Sequence, residues 1–153
     1  MWTGEHTILV RADPHAIWER WTRLDLWAED DPKTKWAKLD GPLQVGATGQ
    51  LKPTQGPVSK LTITRLDQPN QFDCELHVPI STMRFEHRME PAGDGQVRLT
   101  HRVVITGPLA GLYGLLFGRS IVAGLPDVMG NLARIVSGDQ SAVQPAGPVA
   151  GAK

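Results

Sequence analysis

Apolar and polar residues alternate with period two near the start of the chain. His6, Ile8, Val10 and Ala12 share one side and Glu5, Thr7 and Arg11 the other, with Leu9 breaching the polar side. That alternation predicts a half-buried strand over residues 2–12. Asp13-Pro14 then offers an N-cap oxygen and a proline suited to the first helical position. Ile17, Trp18 and Trp21 follow as a stripe at helical spacing. A second short helix is predicted over Leu24 to Ala28, ended by Glu29-Asp30-Asp31-Pro32.

From Thr34 to Thr106 the pattern returns to strands. Turn residues recur at Asp40-Gly41-Pro42, Gln55-Gly56-Pro57, Gln68-Pro69-Asn70 and Pro91-Ala92-Gly93-Asp94-Gly95. This spacing predicts a six-stranded antiparallel meander. Its last two strands are the clearest. Met83, Phe85, His87 and Met89 share one face, and Val97, Leu99, His101, Val103 and Ile105 share a face of the next. The glycine-bearing loop between them predicts a hairpin.

After Ile105 the period becomes helical, and a long helix is expected from about Pro108 to Val136. Leu109, Leu112, Leu116, Ile121, Val128, Leu132 and Ile135 mark it, with glycines at 111, 114, 118, 124 and 130. Each interior glycine costs up to about 1 kcal/mol relative to alanine. Such a helix needs a sheet to lie on, and its small residues permit close approach. Pro126 predicts a kink or break, and Gly138 a stop. The domain is expected to span 1–137, with a disordered tail over 138–153. The fold class is α+β: a curved antiparallel sheet of about seven strands around a long C-terminal helix, with two short helices after the first strand. An apolar pocket is expected between sheet and helix.

Composition narrows the function. Lys plus Arg and Asp plus Glu number 16 each, and no long basic cluster appears. Nucleic-acid binding, which rests on phosphate neutralisation, is therefore not expected. Cys74 stands alone, so no intramolecular disulfide or multi-cysteine zinc site can form, and a reducing, cytoplasmic setting is expected. The first residues lack the basic start and apolar run of a secretory signal. The uncharged run Val103 to Gly118 is 16 residues long, is broken at Gly107-Pro108, and falls short of a membrane span. A homodimer remains open.

Several motifs carry a resemblance. They are Ile8-Leu9-Val10-Arg11-Ala12-Asp13-Pro14 with Ile17-Trp18, Trp27 with Asp31-Pro32 and Trp36, and Leu39-Asp40-Gly41-Pro42 with Val45-Gly46-Ala47. Leu51-Lys52-Pro53 and Thr100-His101-Arg102-Val103, leading to Gly107-Pro108-Leu109, complete the set. Over residues 2 to 137 the pattern resembles the SRPBCC superfamily of START-related, helix-grip proteins, in its polyketide cyclase/dehydrase-like branch. The resemblance implies the helix-grip fold and a hydrophobic ligand. Such families hold lipid carriers, receptors, cyclases and co-chaperones, so it assigns no chemistry. The Cys and His ligand set of the Rieske-type relatives is missing, and no cofactor or metal is expected. No catalytic residue is carried over.

His87 and His101 are the most informative pair. Parity puts both on the apolar face of neighbouring strands, nearly opposite each other. Two imidazoles in a dry pocket can move protons or hold a polar group of a ligand. No carboxylate shares their face, which argues against a metal. His6 can point the same way, whereas His15 and His77 are expected in solvent. Trp18 is expected in the core, and Trp27 and Trp36 flank a predicted pocket mouth. Glu29-Asp30-Asp31 are expected as a solvated loop, and Arg84, Glu86, Arg88 and Glu90 as an outer face of exposed ion pairs. The expected ligand-binding set is Trp27, Trp36, Met83, Phe85, His87, His101, Tyr113 and Phe117. The reading is binding of a small hydrophobic molecule, a lipid, polyketide or aromatic metabolite. The alternatives are a cyclase or dehydratase with His87 or His101 as acid–base group, and a ligand-free interaction domain.

Overall fold

The first strand is β1 (Trp2–Arg11), and Asp13 caps α1 (Pro14–Thr22) by accepting from the His15 backbone N–H. A 3-10 turn over Leu24–Leu26 leads into α2 (Trp27–Asp30). Six strands follow: β2 (Thr34–Leu39), β3 (Thr48–Pro53), β4 (Ser59–Asp67), β5 (Gln71–Val78), β6 (Ser81–Gly93) and β7 (Gln96–Thr106). The computed structural model describes residues 1–138 and 143–145.

With β8 (Val143–Pro145) at its end, the strand order is β2-β3-β4-β5-β6-β7-β1-β8, and every neighbouring pair is antiparallel. The last strand, β8, pairs with Ile8 to Val10 at the open edge of β1. It falls within the tail expected to be disordered; residues 139–142 and 146–153 of that tail lie outside the described residues. Sequence-distant β1 closes the meander by pairing with β7 from Trp2↔Ile105 to Arg11↔Gln96.

The long helix has three parts: α3 (Ala110–Tyr113), a π-turn (Gly114–Gly118) and α4 (Arg119–Ser137), with Gly138 in the left-handed conformation at its end. The expected break at Pro126 is absent, because α4 runs through it. Pro126 is exposed, so water can serve the carbonyl its missing N–H leaves free. The irregularity lies upstream, where glycines bracket the π-turn.

Those glycines explain how the helix sits. A Cβ on Gly114 would lie 2.4 Å from the Trp2 ring and one on Gly118 2.5 Å, while one on Gly4 would lie 2.6 Å from Val122. The Trp2 indole therefore fills a notch that only glycine leaves open. Farther along, Leu125, Met129, Leu132 and Ala133 bury the sheet side of α4. They join the main core of Ile8, Val10, Ile17, Trp18, Trp21, Phe72 and Leu99. A smaller cluster of Met83, Val103, Ile105 and Ala110, with Trp2 and Tyr113 against it, lies under the helix start.

Two expectations about charge are corrected. Asp30 is not solvated. It is 4 % exposed, and Arg20 Nη2 donates to it at 2.7 Å. Glu86 does lie on the outer face, but it is 5 % exposed rather than part of an open ladder. Arg84, Arg88 and Arg102 converge on its carboxylate at 3.1, 3.1 and 3.8 Å and cover it.

Candidate functional site

The concave face of the sheet brings the two histidines together as the alternation predicts. His87 on β6 stands directly opposite His101 on β7, and His101 opposite His6 on β1. The rings of His87 and His101 are 4.5 Å apart, edge to face. On the other side Phe72 lies 5.3 Å from His87.

The fourth ring comes from α1. Trp21 is four residues after Ile17, on the buried side of that helix, and its indole packs 5.6 Å from His87 and 5.8 Å from His101. Sequence periodicity places Trp21 among core residues. Helical spacing shows which side faces the sheet, but not which strands meet it, so its contact with the histidines is invisible to the pattern. Trp27 holds this arrangement from behind. Its Nε1–H donates to the Trp21 carbonyl at 3.0 Å and its ring lies 6.3 Å from Phe72.

Polar satisfaction in this cluster is incomplete. His87 Nδ1 lies 3.0 Å from the Phe72 carbonyl, which can only accept. In the neutral ring Nδ1 therefore carries the hydrogen and Nε2 is left as an acceptor. His101 Nε2 and Trp21 Nε1 are both buried without a hydrogen-bond partner. Buried polar atoms are nearly always paired, so these two, on rings whose centroids are 5.8 Å apart, are left open to a further hydrogen-bonding group. Burial lowers the His87 pKa to about 4 and that of His101 well below its ordinary value, the latter helped by the neighbouring imidazoles. Both rings are neutral at pH 7. Cys74, buried nearby on β5, is pushed up to about 12 by burial, so it stays a thiol.

Other expected site residues divide. Met83 and Phe85 face the concave side below the histidines, and Tyr113 joins them from the helix, donating to the Pro79 carbonyl at 3.3 Å. Trp36 does not join them. It alternates with buried Ala37 and shares the outer face with Lys38, whose Nζ lies 5.7 Å from its ring. A bulge between Thr34 and Trp36 sets that parity, which the sequence pattern does not reveal. Phe117 stacks on Tyr113 at 5.9 Å but is 48 % exposed, because the π-turn gives the sheet side to Gly114 and Gly118. Among the described residues no group of three or more His, Cys, Asp or Glu side chains could hold a metal. A polar cleft of about 270 Å³ opens on the outer face, lined by residues including Thr64, Asp73 and Glu86.

A curled antiparallel sheet gripping a long C-terminal helix, with two short helices after the first strand, defines a helix-grip domain. The chain belongs to the family described as polyketide cyclase/dehydrase and lipid transport, whose model matches residues 1–136. Solved structures share the fold at low identity. Ara h 8.0201 aligns with a TM-score of 0.71 at 12 % identity, over 90 % of this chain and 99 % of that one. Norcoclaurine synthase from Thalictrum flavum, solved with dopamine and hydroxybenzaldehyde, gives 0.66 at 13 %, over 88 % and 86 %. A hypothetical protein from Helicobacter pylori gives 0.68 at 10 %, also over 88 % and 86 %. No curated protein matches the sequence.

Proposed function

We propose that this domain binds a small hydrophobic molecule, a lipid, polyketide or aromatic metabolite, that carries one uncharged polar group. The observation that carries the reading is the pair of buried, unpartnered atoms, Trp21 Nε1 and His101 Nε2, beside the acceptor Nε2 of His87. A hydroxyl can accept from the Trp21 Nε1–H and donate to an imidazole nitrogen, and a carbonyl can accept from the indole. A charged group is disfavoured, since both imidazoles are neutral and the surroundings apolar. Met83, Phe85, Trp27 and Tyr113 supply apolar walls on either side. The Trp21 indole packs over both histidines, so admission of a ligand requires that ring to shift while its Nε1–H stays within reach of the guest. The family's description and the liganded norcoclaurine synthase support a binding role for the fold. The single buried thiol supports a reducing, cytoplasmic setting.

The test is native mass spectrometry of gently purified protein, with thermal shifts across a panel of neutral ketones, phenols and lipids. Neutral hydrophobic compounds are expected to raise the melting temperature of the wild type but not of His101→Leu. No bound species and no shift with any compound would refute the reading.

The tautomer of His87 supports a second reading, a cyclase or dehydratase in which Nε2 takes a proton from a keto substrate. A base with a pKa of about 4 is poorly matched to neutral pH, which ranks this reading below binding.

A further inference from the structure

The π-turn creates a surface that the packing of the domain does not use. Because Gly114 and Gly118 take the sheet side, Leu115, Leu116 and Phe117 stand outward in an unbroken row, 59, 58 and 48 % exposed. Leu112, one turn earlier, is 49 % exposed. Ile80, 68 % exposed, extends the patch: its carbonyl packs beside Gly107 just before the helix, and Tyr113 bonds the adjacent Pro79 carbonyl. A run of three outward apolar residues is a solubility liability unless something covers it. The helix is long and apolar enough to cross a membrane by length and composition, and only 22 % of its most apolar stretch is buried. Yet its Gly114, Gly118, Leu125 and Met129 side is committed to the sheet, so only a surface contact is left to the outer side.

Charge selects the partner. No acidic residue lies between Asp94 and Asp127, and exposed Arg119 directly follows the patch. Lys33 reaches the helix at the same place, donating to the Ser120 carbonyl and hydroxyl at 3.2 Å each. The β3–β4 turn adjoins it, since Thr54 N–H donates to the Lys33 carbonyl. A second copy packed on this face about a two-fold axis would bring like charges together. An apolar row flanked by cations instead matches a bilayer with anionic headgroups.

We infer that Leu112, Leu115, Leu116, Phe117 and Ile80 dock on an anionic lipid surface, with Arg119 and Lys33 at the headgroups. This concerns the outer side of the helix and does not depend on the interior ligand.

The test is co-sedimentation of the full chain with vesicles of phosphatidylcholine alone or of equimolar phosphatidylcholine and phosphatidylglycerol. The wild type is expected to bind the anionic vesicles, and less so as salt rises. The variant Leu115→Ser/Leu116→Ser/Phe117→Ser should lose about tenfold or more in partitioning with its melting temperature unchanged. Should that variant fail to fold, Lys33→Glu/Arg119→Glu carries the test by erasing the preference for anionic vesicles. No binding to either vesicle, or wild-type partitioning by the folded variants, overturns the inference. So does a wild-type dimer, seen by light scattering, that the serine variant dissolves while vesicle binding is absent.

Discussion

At the scale of single residues, the concave face holds polar atoms that stability alone does not ask for. His101 Nε2 is buried without a partner, and leaving such a group unsatisfied costs about 1–3 kcal/mol. Replacing His101 by Leu, similar in bulk and without polar atoms, is therefore expected to leave stability at pH 7 unchanged or raise it by about 1 kcal/mol. Its acid sensitivity is expected to fall as well. In the folded chain burial brings His87 down to about 4 and holds His101 well below the 6.5 of a free imidazole. Below pH 6.5 the unfolded chain thus binds more protons than the folded one. Their neutral burial contributes fully above that pH and is lost as pH falls toward 4. Urea denaturation at pH 7.5, 6, 5 and 4.5 should show stability falling in the wild type and falling less steeply in His101→Leu. Equal slopes in the two proteins would show that the acid loss arises elsewhere than at His101; Asp30 and Asp73, whose pKa values burial raises, act in the opposite sense, since the folded chain then binds the extra proton and gains stability as pH falls. The histidine pair is legible in the sequence, because strand parity and a short loop fix which residues face each other. Trp21 is not, since its contact is set by how α1 lies across the sheet.

At the scale of elements, the long helix shows where pattern succeeds and where it stops. Its extent, its glycines and the need for a supporting sheet follow from spacing and propensity. The π-turn does not, because it depends on Trp2, a residue distant in sequence that occupies the notch at Gly114 and Gly118. The parity of Trp36 is hidden for a related reason: one bulge in β2 reverses which side chains face outward. The notch makes the glycines unequal in a way propensity cannot foresee. Gly114→Ala or Gly118→Ala drives a Cβ into the Trp2 ring and is expected to destabilise by about 1–3 kcal/mol. Gly111 and Gly130 have nothing within 4 Å of an added Cβ, so alanine there should stabilise by up to about 1 kcal/mol. Thermal denaturation of the four variants checks this, and a Trp2→Leu background should relieve much of the penalty at 114 and 118. Four similar shifts would mean that the helix does not rest on Trp2.

At the scale of the whole molecule, the domain has two unequal supports under one helix. Leu125, Met129, Leu132 and Ala133 anchor α4 in the main core. The segment from Ala110 to Gly118 rests only on the smaller cluster and on Trp2, with three consecutive side chains turned to solvent. The architecture is readable from the order of elements, because a meander followed by a glycine-rich helix has few ways to bury both. How tightly the two layers close is not readable, since that distance is set by individual side chains. Trp21 and Trp2 take up room that the spacing of elements would assign to a pocket, so ligand entry is a matter of which support yields. Local opening follows the density of buried apolar contact. Amide exchange should therefore be at least about tenfold faster over 110–118 than over 125–133 under native conditions. Trp2→Ala should speed the first segment further and leave the second unchanged, because only the first touches that ring. Mass spectrometry of peptides from each segment separates the two. Uniform protection along the helix would mean that it opens as one body, and the entrance would then have to be sought at Trp21 and α1 instead.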